Sequence, residues 1–242
     1  MSTIANDSEA VALAVERTEL TQQSETTIIL PFEIKEEFTV EEPKSVNNSS
    51  FYKATKRAFD IIVSFCMLLV LILPMAIIGV IIKFSSKGPV LYTQERLGKN
   101  GVPFKMIKFR TMVVGSEKDG AQWSSGKEDS RIYPFGRVLR DFRLDELPQL
   151  WSIFIGKMSF VGPRPERECF YNEFEKYVHG FSHRLKVTPG LTGLAQVSGG
   201  YELKPEEKIV YDMEYINNQS LLLDLKIIFK TVAVVFTHEG AK

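Results

Sequence analysis

Two adjacent carboxylates, Asp145 and Glu146, stand just ahead of Pro148. Proline is tolerated in the first turn of a helix, so a helix is predicted to begin close to these carboxylates. A helix N-terminus favours anions, so it would stabilise an ionised Asp145 and would also receive a phosphate. Arg140 and Arg143 lie close by in sequence and can neutralise the charge. The alternative is a helix-capping aspartate and a surface glutamate beside two solvated arginines.

A second candidate is Arg164, which stands between Pro163 and Pro165. The two proline rings restrict the backbone on either side, so this arginine is predicted to sit on a stiffened segment. A guanidinium held in this way suits bidentate binding of a phosphate. An ordinary proline-rich turn is the alternative.

Further cations come from a predicted β-hairpin. Lys108 and Arg110 end its returning strand, where alternation puts them on the same face. Two such cations can bind a diphosphate, although a solvated strand face explains them equally well. Arg96 is a weaker candidate of the same kind. The sequence has no Walker A loop, dinucleotide-binding glycine motif or Gly-x-Ser-x-Gly elbow, which disfavours the enzyme classes that depend on them.

The strongest physical signal is the segment Ile61–Ile82, 22 residues without a charged side chain. As a helix it would be about 33 Å long, close to the thickness of a bilayer core. A core helix of a soluble domain rarely runs apolar on all faces over such a length. The segment is therefore predicted to be a membrane anchor, with bounds 51–88.

Pro74 lies near the middle of the apolar run, and both flanks of the run are basic. Proline removes a helical hydrogen bond and bends or breaks the helix. Basic residues mark the cytoplasmic side, so two basic flanks favour a re-entrant helix that bends at Pro74 and leaves on the side it entered. A straight span stays open, because proline also occurs in spanning helices.

Charge divides the rest of the chain. Residues 1–50 carry ten acidic and three basic side chains, a net charge of −7, and residues 51–242 carry a net charge of +7. The first segment is predicted to be an acidic, mostly disordered tail, and the basic body suits anionic partners. Cys66 and Cys169 form no disulfide framework, which favours a reducing compartment.

The predicted fold class is α+β. The membrane re-entrant helix is joined to a small, mostly helical cytosolic catalytic domain, residues 89–242, that contains the short β-hairpin. Its last helix, Leu221–Phe236, is amphipathic. Such a helix can lie in the membrane interface, as this prediction has it, or pack on the core of the domain.

Together these segments resemble one family, the bacterial sugar transferases, or monotopic phosphoglycosyl transferases. The resemblance covers roughly residues 53–240. Its motifs follow the basic flank and the proline-containing apolar segment, and they are Lys87-Gly-Pro-Val-Leu-Tyr-Thr-Gln-Glu-Arg-Leu-Gly98, Lys108-Phe-Arg-Thr-Met112, Leu144-Asp-Glu-Leu-Pro-Gln-Leu-Trp151, Lys157-Met-Ser-Phe-Val-Gly-Pro-Arg-Pro165 and Thr188-Pro-Gly-Leu-Thr-Gly-Leu-Ala-Gln-Val-Ser-Gly199.

The resemblance implies a two-step transfer. An aspartate attacks the β-phosphate of a UDP-sugar bound with Mg²⁺ and expels UMP, and undecaprenyl phosphate then takes the sugar phosphate. Carried over to this chain, Asp145 is the nucleophile and Glu146 completes the dyad and helps hold Mg²⁺. Arg164, between Pro163 and Pro165, binds the nucleotide or its phosphates. The supporting positions are Lys108, Arg110, Arg96 and Arg184.

The same resemblance implies the location and the partners. The catalytic domain is expected on the cytoplasmic face of a bacterial inner membrane, in contact with lipids, with no nucleic-acid partner; a homodimer is compatible with it. From the residues alone, two alternatives stay open: a membrane-anchored phosphohydrolase that uses Asp145, and a non-enzymatic scaffold. The sequence does not name the sugar or the glycan pathway.

Overall fold

The computed structural model describes residues 28–30, 37–116, 121–122, 129–199 and 203–237. Helices predominate among them and the strands are short, so the predicted mixture of helix and strand is confirmed. In chain order the elements are β1 (Ile28–Ile29), β2 (Phe38–Thr39), α1 (Ser50–Ser85), β3 (Leu91–Leu97), β4 (Pro103–Phe109), β5 (Ala121–Gln122), α2 (Pro134–Asp141), α3 (Gln149–Phe154), β6 (Ser159–Val161), α4 (Glu168–Phe174), β7 (Val178–His179), β8 (Gly190–Thr192), α5 (Leu194–Ser198), α6 (Pro205–Asn217) and α7 (Leu221–Thr237).

Helix α1 contains the whole apolar segment. The Ser49 hydroxyl caps its start by accepting a hydrogen bond from the Tyr52 backbone N–H, and the helix continues through Pro74 to Ser85. Within the described ranges it is the one helix that is long and apolar enough to cross a membrane, judged by length and composition. Many of its apolar side chains are exposed, among them Val70 at 74%. The bend at Pro74 stays a prediction.

The strands form four separate pairs. Strands β3 and β4 run antiparallel from Leu91 opposite Phe109, and a single 3₁₀ turn joins them. The pairs β1–β5, β2–β7 and β6–β8 are parallel. Each parallel pair joins segments far apart in sequence, so the strands tie the helical domain together. The pair β6–β8 matters most for function, because β6 leads directly into Arg164.

The segment before α1 is not a free tail over its described residues. The backbone N–H groups of Phe38 and Val40 donate to the carbonyls of Tyr177 and His179, at 2.7 and 2.8 Å. The Ser45 hydroxyl donates to the Asn217 carbonyl at 3.1 Å. Val40, Val46 and Ile28 pack against the largest core cluster. Residues 28–30 and 37–49 therefore dock on the folded domain, because they carry apolar side chains that pack on its core. Residues 1–27 and 31–36 lie outside the described residues, and the predicted disorder of the tail as a whole stays a prediction.

One stripe of α1 packs along the rest of the folded chain. Met67, Leu68 and Leu71 contact a cluster that includes Leu150 and Ile153 of α3. Farther along the helix, Met75, Ile78 and Ile82 join a second cluster, made with Phe109 of the hairpin and Leu139 of α2. Both clusters also contain Leu147, which follows the Asp145–Glu146 pair. The anchor helix and the candidate site therefore share their packing.

A buried polar network fastens the start of α1 to α7. Its centre is Asp224, which accepts hydrogen bonds from Tyr52, Lys56 and Tyr215 at 3.0, 2.9 and 2.8 Å. A buried polar group without a hydrogen-bond partner lowers the stability of the fold. Asp224 avoids this loss for three side chains by accepting their hydrogen bonds.

Replacing Asp224 with alanine is expected to destabilise the protein by about 2–4 kcal/mol, because it leaves a partly buried lysine and two tyrosine hydroxyls without this acceptor. The midpoint of thermal unfolding in detergent should fall by about 4–16 °C. The control is Glu173→Ala, which breaks the exposed pair with Lys176 and should cost at most about 1 kcal/mol. Equal shifts for the two variants would contradict the role given to Asp224.

Candidate active site

The two carboxylates lie in a 3₁₀ turn, Leu144–Glu146, between α2 and α3. Both are buried, with Asp145 at 7% and Glu146 at 8% exposure. Helix α3 begins only at Gln149, so the predicted helix start at the carboxylates is corrected to a separate turn. Arg143 precedes the turn with φ 57°. The left-handed conformation is strained for arginine, and it redirects the chain so that both carboxylates point into the domain.

Glu146 is surrounded by cations. The Arg164 guanidinium donates to both of its carboxylate oxygens, and Lys108 Nζ lies 3.5 Å from Oε1. Burial alone would raise the pKa of Glu146, but Arg164 and Lys108 outweigh burial and hold the pKa well below its usual range. The low pKa favours the ionised form of Glu146, which binds Arg164 and Lys108 beside Asp145.

Asp145 is in a different state. Within the described part of the chain its carboxylate has no hydrogen-bond partner, although Lys108, Arg140 and Arg164 act on it through their charges. Burial and then the neighbouring charge of Glu146 raise the pKa of Asp145 above its usual range, while the charges of Lys108, Arg140 and Arg164 favour its ionised form. Asp145 thus combines a negative charge with oxygen atoms that no described protein donor occupies.

Lys108 and Arg140 complete the positive side of the site. Burial lowers the pKa of Lys108 to about 8, against the opposing effect of Glu146, so the lysine is mostly charged at neutral pH. The Arg140 Nε–H donates to the Thr111 hydroxyl at 2.9 Å, which fixes the guanidinium on the Asp145 side. Three cations and two carboxylates therefore meet in one partly buried cluster.

Arg110 does not join this cluster. Its guanidinium donates to Pro89 O at 2.6 Å and to Ser86 O and Oγ at 2.8 Å, where α1 turns into the hairpin. This corrects the expectation that Arg110 lies beside Lys108 at the site. Strand alternation ends at Phe109, and backbone acceptors at the junction bind the next side chain. Arg110 therefore fixes the angle between the anchor and the hairpin.

Arg96 and Arg184 lie one layer behind Arg164. Arg96 Nη1 pairs with Glu166 at 2.8 Å, and Arg184 pairs with Asp212 at 2.6 Å. The side chain of Arg184 has 0% exposure. Pro163 and Pro165, which flank Arg164, are both buried. Each of these two arginines already has a carboxylate partner inside the protein. A direct contact of Arg96 or Arg184 with substrate stays a prediction.

Three further charged residues complete this layer and were not predicted from the sequence: Glu166, Lys208 and Asp212. Lys208 Nζ reaches Glu166 Oε1 at 3.1 Å, and all three side chains are buried. One local signal was available: Lys208 and Asp212 are four residues apart, so a helix places them on one face. Their contacts with Glu166 and Arg184 depend on tertiary structure and have no sequence signal.

The dyad is also the best candidate for a metal ion. Mg²⁺ prefers oxygen ligands and is often held by one or two carboxylates together with substrate phosphates. Asp145 and Glu146 offer such oxygens, and Asp145 has no competing donor among the described residues. Within the same part of the chain no group of three or more possible ligands exists, so a fully protein-made metal cage is absent there. The residues present fit Mg²⁺ bound jointly with a phosphate-bearing substrate.

Buried carboxylates faced by lysine and arginine, packed on a long apolar helix, define a membrane-associated protein with a site for anionic substrates. The chain belongs to the bacterial sugar transferase family, whose profile matches residues 51–238. The matched region contains the anchor helix and every residue of the dyad cluster. The N-terminal segment that docks on the domain lies outside it.

Named relatives match most of the chain. The chain is 43% identical over 192 residues to a UDP-glucose:undecaprenyl-phosphate glucose-1-phosphate transferase of Klebsiella pneumoniae, covering 77% of this chain and 41% of that protein. It is 39% identical over 197 residues to a UDP-N-acetylgalactosamine-undecaprenyl-phosphate N-acetylgalactosaminephosphotransferase of Aeromonas hydrophila, covering 80% and 46%.

A third relative is similar in length. The exopolysaccharide production protein ExoY of Sinorhizobium fredii is 36% identical over 201 residues, covering 77% of this chain and 88% of that protein. The chain spans less than half the length of the first two relatives. The similarity to those two proteins is therefore confined to one part of each.

Proposed function

We propose that this protein transfers a sugar-1-phosphate from a UDP-sugar to undecaprenyl phosphate, releases UMP and so begins the synthesis of an exopolysaccharide or related surface glycan. The observation that carries the proposal is the buried Asp145–Glu146 pair with Lys108, Arg140 and Arg164 around it. The names of the relatives supply the classes of donor and acceptor.

In the first proposed step, an Asp145 carboxylate oxygen attacks the β-phosphorus of the UDP-sugar. The new bond joins aspartate oxygen to phosphorus, and the bond from phosphorus to the oxygen that bridges both phosphates breaks. UMP leaves with the electron pair. Attack by one anion on another needs charge neutralisation, which Lys108, Arg140 and Arg164 can provide where they surround Asp145.

In the second proposed step, a phosphate oxygen of undecaprenyl phosphate attacks the same phosphorus. The bond from phosphorus to Asp145 breaks and the carboxylate is restored. The product is the lipid joined to the sugar through a diphosphate. Two successive displacements let one pocket accept a soluble donor and then a lipid acceptor. Glu146 keeps Arg164 and Lys108 in place through both steps, since its own pKa stays low.

Asp145 and Glu146 would hold Mg²⁺, and the ion would supply Lewis-acid stabilisation of the donor's diphosphate. Removing divalent cations with EDTA is expected to lower UMP release by at least about 10²-fold, because the remaining cations then have to neutralise the diphosphate alone. Readdition of Mg²⁺ should restore the rate, and readdition of Ca²⁺ serves as the control. Unchanged release in EDTA would remove the metal from the proposal.

We also propose that α1 is re-entrant, with the domain on the cytoplasmic face. The packing supports this arrangement, because Met67 before Pro74 and Ile82 after it contact the same domain. A straight crossing would carry the Ile82 end to the far side of the bilayer, together with the hairpin packed on it. Leu73 and Val70, which face away from the domain, are 67% and 74% exposed and available to lipid.

Accessibility tags at the two ends of the chain test this arrangement. Both the N-terminal and the C-terminal tag are expected to be protected in intact cells and labelled after permeabilisation. A periplasmic N-terminal tag with a cytoplasmic C-terminal tag would indicate a crossing helix. That result would reject the re-entrant arrangement and leave the transfer chemistry open.

The decisive experiment for the function is to identify the nucleotide that purified protein releases in lipid with Mg²⁺, undecaprenyl phosphate and a panel of UDP-sugars. Continuous UMP release that requires the lipid is the expected result, and the active donor names the sugar. Continuous UMP release without lipid would indicate a phosphohydrolase. UDP release would indicate ordinary glycosyl transfer and reject the mechanism. No release with any donor would favour the scaffold.

A further inference from the structure

The backbone that carries Arg164 is held at four successive carbonyl groups. The Pro163 carbonyl accepts from the Gly190 N–H at 2.9 Å, and the Glu166 carbonyl accepts from the Leu97 N–H at 2.9 Å. Between them, Arg184 Nη2 donates to the Arg164 carbonyl at 3.0 Å and Arg96 Nη1 to the Pro165 carbonyl at 3.2 Å. Two strands and two arginine side chains therefore fix the segment that presents Arg164 to Glu146.

Glu166 joins the two sides of this support. One of its carboxylate oxygens accepts from Arg96 of β3 at 2.8 Å, and the other accepts from Lys208 of α6 at 3.1 Å. Glu166 has only 5% exposure. Burial alone would raise its pKa, but Lys208 and Arg96 outweigh burial and lower the pKa to about 2. An ionised carboxylate thus binds the hairpin to α6 directly behind the Pro163–Pro165 segment.

We infer that Glu166 is a positioning residue for Arg164, and that it acts by holding Arg96 and Lys208 against the segment that carries this arginine. The inference rests on the proposed transfer function only for its kinetic test. Arg96, predicted from the sequence to support substrate binding, then acts through the backbone of Arg164 and not by touching the donor. Lys208, one turn before Asp212 on α6, holds the opposite side.

Direct contact of Glu166 with the donor does not fit the geometry. Both of its oxygens are used by cations inside the domain, and a carboxylate would repel a diphosphate. A role limited to general stability also leaves an observation unexplained. The carboxylate binds Arg96, which also donates to the Pro165 carbonyl next to Arg164, the side chain that donates to both oxygens of Glu146.

The test is a double-mutant cycle with Glu166→Gln and Arg164→Ala in the full-length protein in lipid. The glutamine side chain carries no charge but has nearly the same shape as glutamate, so the fold should survive. With Arg164 present, Glu166→Gln is expected to lower kcat/KM by about 10- to 100-fold, because small misplacements of catalytic groups have effects of this size. In the Arg164→Ala background the same change should have less than about a twofold effect.

Two further variants make the result specific. Glu168→Gln is the matched control, since Glu168 is exposed two residues along the chain, and it should leave kcat/KM unchanged. Lys208→Met removes the other partner of Glu166 and should reproduce the non-additive loss. Equal losses from Glu166→Gln in both Arg164 backgrounds, or no loss in either, would overturn the inference. A purely structural role predicts equal losses.

Binding of UDP separates this inference from the proposed function. Isothermal titration of UDP with Mg²⁺ needs no turnover, and the Glu166→Gln change should weaken binding only when Arg164 is present. If the transfer assay gave no UMP but the binding cycle showed this coupling, the proposed function would fail and the positioning role would stand. If the protein released UMP in the transfer assay but neither the kinetic nor the binding cycle showed coupling, the proposed function would stand and the positioning role would fail.

Discussion

Asp145→Asn is expected to lower steady-state UMP release by about 10³-fold or more, because removal of a covalent nucleophile lowers catalytic rates by factors of this order. The amide keeps the shape of the side chain but lacks the charge that attacks phosphorus. Since no described residue donates a hydrogen bond to Asp145, the change breaks no such contact and should leave the fold intact. The measurement is UMP formation with the active UDP-sugar and undecaprenyl phosphate.

The matched control is Asp141→Asn, the same chemical change at the end of α2, where the carboxylate lies outside the dyad cluster. It should keep the wild-type rate within about twofold. A second measurement tests the intermediate itself. Wild-type protein mixed with donor and Mg²⁺ but without lipid should release one equivalent of UMP in a burst and gain the mass of the sugar phosphate. A burst that survives in Asp145→Asn would assign the nucleophile to another residue.

Local pattern predicted the elements whose stability comes from short-range physics. The uncharged run Ile61–Ile82 lies within α1, and the predicted β-hairpin is formed by β3 and β4. The grouping of Asp145, Glu146, Lys108 and Arg164 also matches the quoted motifs, and the structure brings these residues together. Their motif spacing was informative because each lies in a short, rigid segment.

Tertiary contacts determine the features of the fold and the site that the sequence did not predict. Arg110 was placed beside Lys108 by strand alternation, yet backbone acceptors at the end of α1 bind its guanidinium. Composition predicted disorder for the acidic segment, but Val40 and Val46 bury against a core formed by residues that come much later in the chain. No local pattern encodes the acceptors or the core that a side chain meets only after the chain has folded.

The contacts of the buried charges behind Arg164 gave no sequence signal for the same reason. A buried Glu166 between Arg96 and Lys208 reads in sequence as three ordinary surface charges. Burial converts them into a fixed support, since each ion loses water and has to keep its partners. Charged residues beside a motif are therefore worth testing for positioning roles even where they never touch substrate.

Gly190→Ala is expected to lower both stability and activity. A Cβ at Gly190 would overlap the backbone nitrogen of Gly162 and lie 2.5 Å from its carbonyl oxygen, so β6 and β8 could not stay paired. Overpacking against backbone costs about 1–3 kcal/mol or more. The midpoint of thermal unfolding should fall by about 2–12 °C or more. Because the Gly190 N–H also holds the Pro163 carbonyl, Arg164 should be displaced and UMP release lost.

Gly101→Ala distinguishes this clash from the general cost of replacing a glycine. A Cβ at Gly101 meets no atom within 4 Å, although its φ of +75° strains any other residue. That strain is worth about 1 kcal/mol, so a small decrease in thermal stability with normal kcat/KM is expected. If both variants lost activity alike, the strand pair would not be what positions Arg164. Loss confined to Gly190→Ala would mean that close approach of the two backbones, which only glycine allows, sets the position of the phosphate-binding arginine.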